Sequence, residues 1–428
     1  MTEDFLHFIW KFGLFERSGM ICDTGDRIQV IALGDHNMDA GPDFLNARIK
    51  IGRTIWAGNV EIHVMSSDWT EHKHNLNKAY DNVILHVVYR HDQPATRTGG
   101  EIIPTVELQF DPALFENYRM LLNNRGSLPC QAGIRQTDPF LRDLWINSLV
   151  VERLQQKTEF ISGLLEKYKN NWEEVFYIGL ARSFGFGLNA APFEMLARSV
   201  PLTHLSRTRN NLFQLEAMLM GQAGFLQDAK IFSDYYGELR REYLHFRKKF
   251  GLKPLEKHLW KFLRLRPVNF PTIRIAQFAA LLSRGDSLFS QIMDCKEISE
   301  LWKHFNVRAS SYWDTHYTFE TFSPTRVKNL GTDAFQMIVI NAVVPFQFIY
   351  GQRSGLEKYK EKALEWLNRL PAEKNRLTGR WNKAGIETES AFYSQGLLQL
   401  SNHYCSGKRC LACSIGMNII TSKTERFS

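Results

Sequence analysis

The sequence is poor in the features that would set it apart from ordinary globular proteins. Cysteine is scarce, with 6 in 428 residues. In a chain expected to stay in a reducing compartment these form no disulfide framework, so any that cluster point to metal. Long apolar runs are missing too. The nearest, Met337 to Tyr350, is shorter than the roughly 18 residues of a membrane span and contains Asn341 and Pro345. At the start, Glu3 and Asp4 precede the first apolar run and Lys11 lies inside it, the reverse of a secretory leader. A cytoplasmic protein without a membrane partner is expected. Charge is only mildly one-sided, at a formal +8 with a pI near 9.1. That balance leans toward an anionic partner such as nucleic acid without requiring one.

Apolar residues make up 44% of the chain, with 30 Phe and 10 Trp, which suits a folded protein with substantial cores. The length exceeds the roughly 250 to 300 residues that one core spans, so at least two domains are expected.

One stretch carries acids at a spacing that chemistry can use. Asp35-His-Asn-Met-Asp-Ala-Gly-Pro-Asp-Phe44 is followed by the alternating run Leu45 to Ile51, the turn signal Gly52-Arg53, and a second run ending in Gly58-Asn-Val-Glu-Ile-His63. The pattern predicts a hairpin. Pairing its strands carries Asp43 toward Glu61, and His63 shares the face of Glu61 because strand side chains repeat every second residue. Two carboxylates so placed can hold a divalent cation. The plainer reading is a polar Gly-Pro-Asp turn beside a solvated strand face.

Around this hairpin the periodicity predicts a helix over 4–15, strands over 28–33, 46–51 and 54–64, a short helix from Ser67 to Tyr80, a doubly buried strand over 83–89 and a further strand over 105–110. This order, with acids on the second and third strands, resembles the αβββαβ core of the PD-(D/E)xK nuclease superfamily. Pro42-Asp43 and Glu61-Ile62-His63 fill its signature positions, with His where Lys is usual. The wording Ala40-Gly-Pro-Asp-Phe44, Gly58-Asn-Val-Glu-Ile-His63, Ser67-Asp-Trp69, His72-Lys-His74 and Val83-Ile-Leu-His-Val-Val88 also resembles the uncharacterised bacterial family DUF2851, over the full length.

The nuclease resemblance implies a metal-dependent phosphodiesterase. Asp43, Glu61 and the backbone carbonyl of Ile62 would hold Mg²⁺ or Mn²⁺, and His63 would act as base or electrostatic helper. Glu3 and Glu16 on or near the first helix, and Asp35 and Asp39 in the loop, are further ligand candidates. Two rival readings stand beside it. One is a zinc-dependent hydrolase built on His63, His72 and His74, with Asp43 or Glu61 as a further ligand and His86 a core residue. The other is an inactive nucleic-acid or protein binding module that keeps the fold, favoured by His at the Lys position.

Beyond the breaker-rich loop 123–133 the character changes. Segments 139–170, 173–184, 211–225, 228–250, 273–283 and 297–304 read as helices. The expected fold is α+β: an α/β domain over 1–122, a mostly helical domain over 134–400 and a cysteine-containing tail over 401–428. Arg264, Arg266 and Arg274 flank a Pro-bounded turn with Phe270 and are candidates for nucleic-acid contact, DNA ahead of RNA. The alternative is a helix-to-helix loop whose arginines pair internally. In the tail, Cys405, Cys410 and Cys413 form Cys-x4-Cys-x2-Cys, which can bind Zn²⁺ or [4Fe-4S] with Cys130 as the favoured fourth ligand.

Overall fold

The β-branched runs between residues 28 and 107 pair into one mixed sheet, seen in a computed structural model of the chain that describes residues 1–422 apart from 125, 127, 209, 229–232, 286 and 320. Its strands are β1 (Ile28–Ala32), β2 (Asp35–His36), β3 (Phe44–Ile51), β4 (Thr54–Met65) and β5 (Val83–Arg90). A separate small pair, β6 (Ala95–Thr96) and β7 (Ile102–Ile103), precedes the edge strand β8 (Thr105–Glu107). The order across the main sheet is β1-β3-β4-β5-β8, with β2 also pairing to β3. Strands β1, β3 and β4 run antiparallel, and Gly52 turns the β3–β4 hairpin at a φ of 57°. The pairs β4–β5 and β5–β8 are parallel.

That switch in direction positions the site. Parallel neighbours cannot be joined by a tight turn, so residues 66–82 cross over the sheet between β4 and β5. Here the expected helix to Tyr80 is broken. Its first turn, α2 (Asp68–Glu71), stops before Lys73, which takes a left-handed φ of 62°. Two 3₁₀ turns follow, His74–Leu76 and Lys78–Tyr80, the second capped by Asn77 accepting the N–H of Ala79 at 3.1 Å. A polar segment without a long apolar stripe gains too little from packing to hold a continuous helix. Trp69 anchors the crossover instead: it is fully buried against Val83, Ala95 and Ile103, and its indole N–H donates to the carbonyl of Thr96 at 2.9 Å.

The first helix, α1 (Glu3–Lys11), has acids in its first turn and Lys11 in its last, as the helix dipole favours. It ends before the predicted residue 15 because Gly13 adopts a φ of 63°. Its apolar face, Phe5, Leu6, Phe8, Ile9 and Trp10, packs against the sheet at β4 and, through Phe5, against Phe115 and Tyr118 of α3 (Pro112–Asn123). Helix α1 is followed by four strands, β2 being only two residues long, then by the crossover and β5.

The chain divides into two compact units. The first comprises Met1–Ile146, Gly379–Glu387 and Leu398–Ser428, so the C-terminal segment belongs with the sheet. The second comprises Asn147–Thr378 and Thr388–Leu397. It is mainly helical and, among the described residues, also contains an antiparallel strand pair, His316–Thr318 with Thr321–Phe322. Helices Trp172–Phe184, Leu212–Gln222, Pro271–Leu282 and Ile298–Phe305 match the periodic segments closely, as does Pro139–Lys167. The segment predicted from 228 is helical over Asp234–Phe250, and residues 229–232 lie outside the described residues. Thr332–Ser354 is long and apolar enough to cross a membrane by length and composition. Of its most apolar window, 78% is buried, as in a core helix. A π-helical turn, Val339–Val343, precedes Pro345 and accommodates its missing N–H.

Gly58 sits where β4 meets the residues leading into β5. A Cβ there would lie 2.7 Å from the carbonyl oxygen of Asn82 and would overlap Ile84. Gly58→Ala is expected to destabilise the chain by about 1–3 kcal/mol, read as a lowered urea midpoint with an unchanged m-value.

Candidate metal centre

Asp43 precedes β3 and Glu61 lies within β4, and each bonds the other strand's backbone. The N–H of Asp43 donates to Glu61 Oε2 at 3.0 Å, while the N–H of Ile62 donates to Asp43 Oδ2 at 2.9 Å. The register Phe44↔Val60, with the bulge that follows at Asn46 (φ 59°), brings these groups opposite one another. Ile62 thus serves through its N–H. Asp43 Oδ2 also lies 3.1 Å from Nε2 of His7, on the polar edge of α1.

The free oxygen of Glu61 faces imidazoles. Oε1 is 3.3 Å from His74 Nε2 and 3.7 Å from His63 Nε2. His63 Nε2 is in turn 3.3 Å from His72 Nδ1. Each of His63, His72 and His74 offers a ring nitrogen within 4.8 Å of the others. The opposite nitrogen of His63, Nδ1, is 2.8 Å from Nε2 of His86, a fully buried residue on β5. Register explains this meeting: Glu61 pairs with His86 across the β4–β5 ladder, and the crossover lays His72 and His74 over the same face. Tyr80 stacks on His74 with ring centroids 3.8 Å apart, and Trp69 packs edge-on to His63 and His74.

Burial governs the electrostatics. Glu61 is 4% exposed, and burial raises its pKa against the opposing hydrogen bond from His74. Burial and the neighbouring imidazoles push His63 down to about 3, and they hold His86 well below its usual range. At His7 burial opposes the charge, but the carboxylates of Asp43, Glu3 and Asp4 outweigh it and raise the pKa. Burial raises Glu3, which interacts with both His7 and His72. The result is a buried carboxylate beside a neutral imidazole, with a more easily charged imidazole at the rim.

Three imidazole nitrogens and one carboxylate oxygen form the donor set of a tetrahedral or five-coordinate first-row ion. Such an ion would relieve the cost of keeping Glu61 ionised in a dry site. Each of the four donors belongs to a residue already fixed by strand register or ring packing, and His63 has the second partner that orients a ligating ring. The residues fit a divalent ion.

A family model described as a protein of unknown function matches residues 3–376. The chain belongs to that family, DUF2851. No curated protein and no solved structure matches it.

Other residues singled out in this DUF2851 chain lie elsewhere. Asp35 and Asp39 are exposed, and Glu16 lines a separate cavity of about 390 Å³ with Asp23, His91 and Glu107. In the second unit Arg264 and Arg266 are exposed. Arg274 is buried, donates to Gln277 at 2.8 Å and to Asn269 at 2.5 Å, and lies over the ring of Phe186. It is tied internally and is not presented with the other two. Cys130, Cys405, Cys410 and Cys413 come together within the first unit. Two contributors escaped sequence reasoning. His7 had a faint signal, a titratable residue between Leu6 and Phe8 on an apolar helix, and His86 reads from sequence as an ordinary core histidine.

Because the folded-state pKa of His63 is depressed from 6.5 to about 3, its neutral form contributes stability above pH 6.5 that is lost as pH falls toward 3. In metal-free protein, His63→Gln is expected to flatten the decline in unfolding free energy across that window by up to one proton's slope. Urea titrations at stepped pH provide the check, and an unchanged slope would contradict the burial argument.

Proposed function

We propose that this chain is a metal-dependent hydrolase that cleaves phosphodiester bonds of a nucleic acid. His63, His72, His74 and Glu61 hold the ion. The observation that carries the reading is the meeting of Glu61 Oε1 with His74 and His63, and of His63 with His72, in one cluster that runs from the buried sheet face to the surface, beside the Asp43–His7 pair. The nitrogen-rich donor set favours Zn²⁺ or a neighbouring first-row ion over Mg²⁺, which prefers an all-oxygen shell. A bound ion of this kind neutralises charge on a phosphate and lowers the pKa of water.

The chain's own residues supply the rest. Asp43 fixes His7 through Nε2 and favours its protonated form, which leaves Nδ1–H to donate to an oxygen that gains charge as a bond breaks. His86 orients His63 by engaging Nδ1, which keeps Nε2 turned toward Glu61 and His72. Trp69 and Tyr80 pack around the rings and limit water on that side. The net charge of +8 suits a polyanionic substrate.

Cleavage of single- and double-stranded DNA and RNA in Zn²⁺, Mn²⁺ or Mg²⁺, with metal content measured in parallel, tests the reading. Glu61→Gln and His74→Ala are expected to lose the ion and the activity together. His7→Gln is expected to keep the ion while the rate falls by about 10²–10⁴. A parent chain that binds nucleic acid but cleaves none of these substrates with any of the three ions would overturn the reading in favour of a binding module.

A further inference from the structure

The first unit contains a second group of metal-binding side chains, independent of the histidine cluster. Cys130 follows α3, while Cys405, Cys410 and Cys413 lie in the C-terminal segment. Chain separation makes their meeting informative: more than 270 residues intervene between the first and the other three. Each thiol interacts electrostatically with each of the others. Cys130, Cys410 and Cys413 are each 7% exposed, and Cys405 is half-buried.

Local structure is shaped around these sulfurs. A π-helical turn, Leu400–Cys405, ends at the first, and a 3₁₀ turn, Cys410–Ala412, links the next two. Cys413 occupies the N-cap position of the helix Ser414–Thr421, and burial raises its pKa against hydrogen bonds from the backbone of Gly416 and Ile415 and from the side chain of Trp145. Gly416 is required there, because a Cβ would overlap the carbonyl of Cys410. Asn117 of α3 holds the final helix by donating to the carbonyl of Ile420 at 3.1 Å, and Lys408 bonds the carbonyl of Leu122. Without a ligand this arrangement is unfavourable for ionisation: burial and neighbouring sulfurs push Cys130 up to about 12 and Cys410 up to about 11. Thiolates crowded into a buried site need a cationic centre to compensate them.

Spacing separates two such centres. A single tetrahedral zinc, with Zn–S near 2.3 Å, draws four sulfurs to about 3.8 Å from one another. Among the described residues the group of three donors within 4.8 Å is the histidine cluster, and no three of these sulfurs approach that closely. An iron–sulfur cluster distributes its cysteines over several irons and so spreads the thiolates wider.

We propose that Cys130, Cys405, Cys410 and Cys413 ligate an iron–sulfur cluster, with [4Fe-4S] the form in which each thiolate holds one iron. On binding, the four thiols give up their protons and the centre fastens the C-terminal segment to the loop after α3. Its role is structural.

The full chain, produced and purified without oxygen, is assayed for iron, acid-labile sulfide and absorbance near 400 nm. Iron and sulfide in equal amounts, about four of each per chain, with a band that dithionite bleaches, are expected. Cys130→Ser should lose most of the band and iron, whereas Cys22→Ser and Cys295→Ser, outside the group, should keep both. Should Cys130→Ser fail to fold, the iron and sulfide content of the parent chain decides alone. A parent chain carrying zinc at the cysteines with no sulfide and no band, or a folded Cys130→Ser that keeps the full band, would overturn the proposal.

Discussion

Two backbone-to-carboxylate bonds between neighbouring strands hold the candidate centre together. Asp43 gives its N–H to Glu61 and receives the N–H of Ile62, so each acid is fixed by the other's strand. The exchange occupies one oxygen of each carboxylate. The other oxygen of Glu61, Oε1, lies on the buried face, 3.3 Å from His74 Nε2 and 3.7 Å from His63 Nε2. A surface pair of acids would repel and turn to water. Here one oxygen of each acid is held by a backbone amide instead.

Everything around that clasp follows from strand direction. Since β4 and β5 run parallel, the chain must cross the sheet, and the crossover delivers His72 and His74 above Glu61 and His63. Trp69 fixes the height of the crossover through its buried ring and its bond to Thr96. On the other side α1 is held by its aromatic face, and that packing presents His7 to Asp43. Fold and site are therefore coupled: a shift of the crossover moves a nitrogen away from Glu61, and a shift of the helix moves one away from Asp43.

Much of the scaffold was legible because it rests on period. The alternation of Leu45 to Ile51 and the β-branched run at 83–88 specify strands, Gly52-Arg53 specifies the turn between β3 and β4, and helical spacing marks most of the second unit. The approach of Asp43 to Glu61 was readable for the same reason, since a hairpin fixes which residues face each other. Three features were not. The broken crossover helix depends on a left-handed Lys73, which no propensity announces. His7 joins the centre only through the docking of α1, a tertiary event. Arg274 looks from sequence like a surface cation, yet helix packing buries it against Phe186.

The central claim is that Glu61 and three histidines form one ion site. Zinc-edge anomalous diffraction from crystals of the full chain grown with Zn²⁺ tests it most directly. The account predicts a peak about 2.0–2.2 Å from Glu61 Oε1 and from ring nitrogens of His63, His72 and His74. Full zinc occupancy at other sites, with no density between these four side chains, would contradict it.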